Sequence, residues 1–180
     1  MSAIRIRSAH PDEAASLRRL VEGSIPHTEA WTVFDVLAAD ELVDNDLVSE
    51  LVLMAEDRAA PGPCLGVAVA HPPTAALQRA GFRDQDLTAA VATVVKLSAV
   101  AVEAKHRGGE VGSKLVRRLI AEFRLREYRW MYGQMNATDP RLPRFYTRLG
   151  FDVLELGQDL ELPFAAWPAS EGERWFWQEL

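Results

Sequence analysis

Cysteine is almost missing from this chain. Cys64 is the only one among 180 residues, so no intrachain disulfide can form and the paired-cysteine spacing of a structural zinc site is excluded. The four histidines, His10, His27, His71 and His106, show no metal-ligand spacing among themselves, and no metal is expected. The opening stretch MSAIRIRSAHPDE alternates polar and apolar residues and soon turns acidic. It has neither the apolar run of a signal peptide nor a spanning segment, so a cytoplasmic protein without a membrane partner is expected. An excess of basic charge is lacking too: 20 Lys and Arg stand against 26 Asp and Glu, a formal net charge of -6. That balance opposes a nucleic-acid partner and weakly favours a cationic amine. No internal repeat, low-complexity tract or linker separates two hydrophobic cores, so one domain is expected across residues 1–180.

What is present is a core-forming composition, with 48% hydrophobic and 26% charged residues, typical of a globular chain. IRIR at 4–7 alternates as a short strand does, and Asp12 and Glu13 begin a helix bearing Leu17, Leu20 and Val21. A second helical region with Trp31, Phe34, Leu37 and Leu42 lies within residues 27–46. The runs LVLMAED at 51–57 and CLGVAVAH at 64–71 flank the turn-forming APGP, which fits an antiparallel hairpin. Residues 74–92 are an excursion with room for a short helix. VVKLSAVAV at 94–102 is a third long strand. It is followed by a glycine turn and by the amphipathic helix SKLVRRLIAEFRLREY, whose Leu115, Leu119, Ile120 and Phe123 share one face. WMYGQMN at 130–136 reads as a strand, PRLPRFYTRLG as a short helix stopped by Gly150, FDVLEL as a strand and ERWFWQEL as the last strand. Hairpins early and crossovers later imply an α/β fold: a mixed, mostly antiparallel sheet of about seven strands flanked by helices.

The turn HRGGEVGSK carries the most chemistry. A helix start offers unpaired N–H groups and partial positive charge, and preceding glycines let an anion come close to the backbone. Arg107 and Lys114 add cationic charge and Ser113 a hydroxyl donor. A pyrophosphate suits this layout, and so does an ordinary glycine-rich loop. The sequence lacks G-x-x-x-x-G-K-[ST] and G-x-G-x-x-G there, which disfavours a nucleotide-triphosphate loop and a dinucleotide fingerprint.

Val100-Ala101-Val102, residues 107–112 and the later RFYTRLGF at 144–151 together resemble the GNAT superfamily of acyl-CoA-dependent N-acetyltransferases. In that family an apolar-x-Val strand leads into [Q/R]-x-x-G-x-[G/A], and F-Y-x-x-x-G-F follows downstream. The opening IRIRSAHPDEAASL is similar to the family's first strand and helix. The resemblance implies acetyl-CoA as cosubstrate. Backbone groups of Val100, Ala101 and Val102 would hold the pantetheine arm, and amides of Arg107, Gly108, Gly109, Glu110, Val111, Gly112 and Ser113 would cradle the pyrophosphate. Glu110 departs from the pattern, standing where the family has a small glycine.

Acetyl transfer to an amine needs a neutral nucleophile, a stabilised oxyanion and a proton for the departing thiolate. The resemblance puts Tyr146 near the CoA sulfur as catalytic acid and cofactor contact, with core packing as its other reading. Asn136 is a candidate for holding the CoA arm, while Asp139 suits a cap for the helix beginning at Pro140. A general base is not evident: six residues before Val102, where some family members carry glutamate, stands Lys96. A protonated lysine cannot accept the proton, which leaves water or a carboxylate outside the motif, such as Glu56. His106 replaces a frequent aromatic of the family's turn and is expected to pack, and the other three histidines are uncommitted. Trp31, Phe34 and the tail aromatics Trp167, Trp175, Phe176 and Trp177 suit an acceptor wall, a homodimer contact or simple burial.

The resemblance thus implies an N-acetyltransferase moving an acetyl group from acetyl-CoA to a primary amine by direct attack. The alternative within the same fold is a non-catalytic acyl-CoA-binding sensor or interaction module. A phosphate-binding α/β domain unrelated to acyl transfer would keep the turn and discard Tyr146.

Overall fold

The computed structural model describes residues 3–25, 30–45 and 48–180. His27 therefore lies outside the described residues, as does the side chain of Trp31. Seven strands hydrogen-bond in the order β1 (Ile4–Ser8), β2 (Leu51–Asp57), β3 (Cys64–His71), β4 (Val94–Val102), β5 (Trp130–Asn136), β9 (Glu173–Glu179) and β6 (Asp152–Val153). β4 and β5 run parallel, while the β1–β2, β2–β3, β5–β9 and β6–β9 pairs are antiparallel. This is the mixed, mostly antiparallel α/β sheet expected. A separate hairpin joins β7 (Leu160–Leu162) to β8 (Ala165–Trp167).

The chain divides into two compact units. Residues 1–71 and 98–122 form the first, which holds α1 (Ala14–Glu22), α2 (Trp31–Ala38) and most of α5 (Val111–Leu125). Its core joins Leu17 and Val21 of α1, Phe34 and Leu37 of α2, Val52, Met54, Val67 and Val69 of the hairpin, and Ala99 and Ala101 of β4. The early helix begins one step later than its acidic residues suggest: Pro11–Glu13 is a 3-10 turn, and α1 starts at Ala14. Glu13 instead turns its carboxylate to Arg7, at 2.6 and 2.8 Å.

The second unit comprises residues 72–97 and 123–180. The excursion before β4 carries two short helices, α3 (Thr74–Arg79) and α4 (Asp84–Val91). α6 (Arg141–Thr147) ends through Gly150, whose φ of 93° favours glycine. FDVLEL contributes only Asp152–Val153 as strand. Gly133 is needed in β5, because a Cβ there would overlap the Phe176 ring and stand 2.7 Å from the Leu97 carbonyl oxygen. No helix among the described residues is long and apolar enough to cross a membrane.

Candidate active site

In the first unit, β4 leads into a tightly bonded turn. Glu103 N–H donates to the Leu65 carbonyl (3.0 Å), His106 N–H to Glu103 (2.8 Å) and Arg107 N–H to Ala104 (3.3 Å). Gly108 then takes φ 78°, a conformation that side chains resist. Lys114 N–H donates to the Glu110 carbonyl (2.9 Å), which makes Glu110 the cap of α5. The N–H groups of Val111, Gly112 and Ser113 stand ahead of the helical ladder, where no preceding turn can accept from them. These donors and the helix dipole favour an anion.

The side chains of the turn are engaged differently from the sequence expectation. Arg107 Nε donates to the Val102 carbonyl (2.9 Å) and its Nη2 to Ser24 Oγ (3.1 Å), so this guanidinium braces the end of β4. Lys114 Nζ pairs with the Glu110 carboxylate at 2.9 Å on an exposed surface. The carboxylate that breaks the family pattern is thereby compensated within its own helix turn. Exposed Gly108 and Gly109 carry no side chain that could cover the helix start. The donor set left for an anion is chiefly backbone amide, and it fits a pyrophosphate.

β4 supplies a second feature. Lys96, Ser98, Val100 and Val102 are half-buried while Leu97, Ala99 and Ala101 are buried, the period-two pattern of a strand with one more accessible face. Ser98 Oγ lies 2.8 Å from His71 Nε2 at the end of β3. Sequence reading left His71 uncommitted and did not single out Ser98. The available signal was a histidine closing one apolar run and a lone hydroxyl inside the next. Glu56, offered above as a proton acceptor, is 2% exposed and lies 3.5 Å from Arg5 and 3.4 Å from Arg7, so it serves an ion-paired core position. Burial pushes the half-buried Cys64 thiol up to about 11. His10 is exposed and His106 is half-buried in the turn, and no metal-binding cluster occurs among the described residues.

Asn136 and Tyr146 belong to the second unit. Asn136 Oδ1 accepts from Thr138 N–H (2.8 Å) and Thr138 Oγ1 (2.7 Å), shaping the turn after β5. Asp139 Oδ1 accepts from Arg141 N–H at 3.0 Å, and its carboxylate also pairs with the Arg141 guanidinium. These bonds hold its pKa down to about 2; α6 begins one residue later than expected, with Pro140 rather than Asp139 at its N-cap, so Asp139 braces the turn ahead of the helix. Tyr146 is buried, stacked on Phe176 with ring centroids 3.7 Å apart and edge-on to Phe145 and Phe151. Burial raises its hydroxyl pKa above the ordinary tyrosine value. Trp167, Trp175 and Phe176 are buried within this unit and Trp177 is half-buried. Simple burial therefore accounts for most of the aromatic tail.

The mixed seven-strand sheet and the anion-receptive start of α5 agree with the family match of the sequence. Residues 50–153 match the family described as the acetyltransferase (GNAT) domain, and the chain belongs to that family. GNAT acetyltransferases use acetyl-CoA. Comparison with curated protein sequences found no match. Among solved structures, a Salmonella typhimurium protein described as an acetyltransferase with its cofactor acetyl-CoA is similar, at 21% identity and a TM-score of 0.66, covering 98% of this chain and 94% of that one. The ribosomal-protein-alanine N-acetyltransferase of Brucella melitensis is 19% identical, with a TM-score of 0.63 and coverage of 98% and 99%. At such identities the likeness shows the fold alone.

Proposed function

We propose that the protein transfers the acetyl group of acetyl-CoA to a primary amine by direct attack, without a covalent acyl-enzyme. The observation that carries this reading is the start of α5, where the Val111, Gly112 and Ser113 amides precede the helical ladder behind an uncovered Gly108–Gly109 turn. Bound acetyl-CoA supplies the activated thioester. The amides of the turn bind its pyrophosphate, the backbone of Val100, Ala101 and Val102 orients the arm, and Asn136 is assigned to the same arm. Tyr146 holds the proton for the departing sulfur, and burial favours the protonated hydroxyl it needs for that role.

Direct attack is supported by the state of the only thiol. A Cys64 pKa of about 11 keeps it protonated and poorly nucleophilic at neutral pH. A cytosolic setting agrees with that lone reduced cysteine. The test is CoA thiol release from acetyl-CoA with a panel of primary amines. The panel includes peptides with N-terminal alanine, since one similar structure is a ribosomal-protein-alanine N-acetyltransferase. The same samples without amine are examined by mass spectrometry. Amine-dependent release with no acetylated protein supports the proposal. Stabilisation by acetyl-CoA without release for any amine points to a non-catalytic binding module, and an acetylated protein contradicts direct attack.

A further inference from the structure

We infer that Ser98 and His71 form the proton-accepting pair of the transfer reaction, with Ser98 as the group that meets the amine and His71 as the base behind it. The inference rests on the function proposed above. Its geometric basis is the 2.8 Å contact between Ser98 Oγ and His71 Nε2. Both residues are half-buried. Ser98 stands two residues before Val100, where the segment assigned to the pantetheine arm begins, and shares the accessible face of β4 with Val100 and Val102.

The other groups considered are less suited. Glu56 is buried against two arginines, and the thiol of Cys64 is held protonated by burial. An ordinary imidazole titrates near about 6.5, so its neutral form is available at physiological pH to take a proton. Charged groups that the strands place near the pair in sequence and register include Lys96, two residues before Ser98, and Glu50. Glu50 falls next to His71 in the register that matches Leu51 with Ala70, and its Oε2 accepts from Val43 N–H at 3.3 Å.

The amine lone pair attacks the thioester carbonyl carbon, the C–N bond forms, and the C–S bond breaks with its electron pair leaving on sulfur. The nitrogen's surplus proton passes to Ser98 Oγ while the Ser98 proton moves onto His71 Nε2. The sulfur takes a proton from its own donor, and the imidazolium returns its proton to water.

The experiment measures kcat and KM from pH 5.5 to 9.5 for wild type, His71→Gln and Ser98→Ala, using the best amine of the panel. Acetyl-CoA affinity by calorimetry and melting temperature serve as controls of integrity. We expect kcat to fall about a hundredfold in His71→Gln, the lower end of what a positioned general base supplies, with CoA affinity retained. The rise of kcat/KM through the imidazole range in wild type should vanish from that variant, leaving only the acceptor's own deprotonation. Ser98→Ala, which removes one hydroxyl, gives the same loss if His71→Gln fails to fold. A folded His71→Gln or Ser98→Ala enzyme with wild-type kcat and pH profile overturns the pair while leaving the acetyltransferase reading intact. Wild-type protein inactive with every amine overturns both.

Discussion

Gly66 of β3 lies directly against Val111, the first residue of α5. A methyl group on Gly66 would stand 2.9 Å from Val111 Cγ1, 2.9 Å from the Ala101 carbonyl oxygen and 3.2 Å from Leu115 Cδ1. This close approach fixes the start of α5 over the strands, and with it the amides that precede the helical ladder. Gly66→Ala should therefore destabilise the fold by about 1–3 kcal/mol through overpacking and weaken acetyl-CoA binding as α5 is displaced. Urea unfolding and calorimetry read the two effects. Unchanged values in both would show that the helix start tolerates displacement.

The Glu110 carboxylate is occupied by Lys114 on an exposed surface, and exposed pairs of this spacing are worth only about 0.3–0.5 kcal/mol. Glu110→Gln should thus leave melting almost unaltered while freeing Lys114 to favour an anion at the turn. Acetyl-CoA should bind a few-fold more tightly at low salt, and the gain should shrink as salt screens it. Equal affinities at low salt would place Glu110 and Lys114 outside the electrostatics of the site.

Arg7 of β1 joins Glu13, at 2.6 Å, to Glu56 of the neighbouring β2, at 3.4 Å. Hydrogen bonding from Arg7 holds the Glu13 carboxyl below its ordinary range. A depressed carboxylate pKa contributes stability that is present above the unfolded value of about 4.3 and is lost as pH falls through the folded one. Arg7→Met should cost about 3 kcal/mol at pH 7, because Glu56 is left buried with a weaker partner. The difference from wild type should shrink below pH 4. A difference that is constant from pH 7 to pH 3 would contradict the ion-pair account.

Tyr146 is assigned the thiolate's proton, a role exerted mainly in the transition state. Tyr146→Phe keeps the ring stacked on Phe176 and should lower kcat about a hundredfold, with KM for acetyl-CoA changed by less than about threefold. Normal turnover in the folded variant would leave Tyr146 with packing alone.

The strands at 51–57, 64–71, 94–102 and 130–136 were legible because each is a largely apolar, β-rich run with a proline, glycine or charged residue at or beside at least one end, and the structure keeps those limits. The β7–β8 hairpin was not, since two three-residue strands around Pro163 and Phe164 carry too short a pattern to read. FDVLEL read as a full strand from its composition, yet only Asp152 and Val153 pair with β9. The anion-receptive turn was visible as a local motif because its donors are consecutive in sequence. The Ser98–His71 contact was invisible because it joins residues 27 positions apart through the packing of β3 and β4. The occupation of Arg107 by Val102 and Ser24, and of Glu110 by Lys114, likewise depends on side-chain directions that spacing does not encode.

We propose that the turn before α5 binds acetyl-CoA for transfer to an amine. Gly109 is the position to probe, because it is exposed and an added Cβ would have one close neighbour, the His106 carbonyl oxygen at 3.3 Å, which a shift of a few tenths of an ångström in the exposed turn relieves. Gly109→Asp should fold as wild type does while placing a second carboxylate beside the helix start. Amine-dependent thiol release is measured for both proteins at a fixed, subsaturating acetyl-CoA concentration, with melting curves alongside. The expected result is robust release by wild type and at least a tenfold loss in the folded variant, about 1.4 kcal/mol or more. Equal release by the two proteins, or none by wild type with any amine, would contradict the claim.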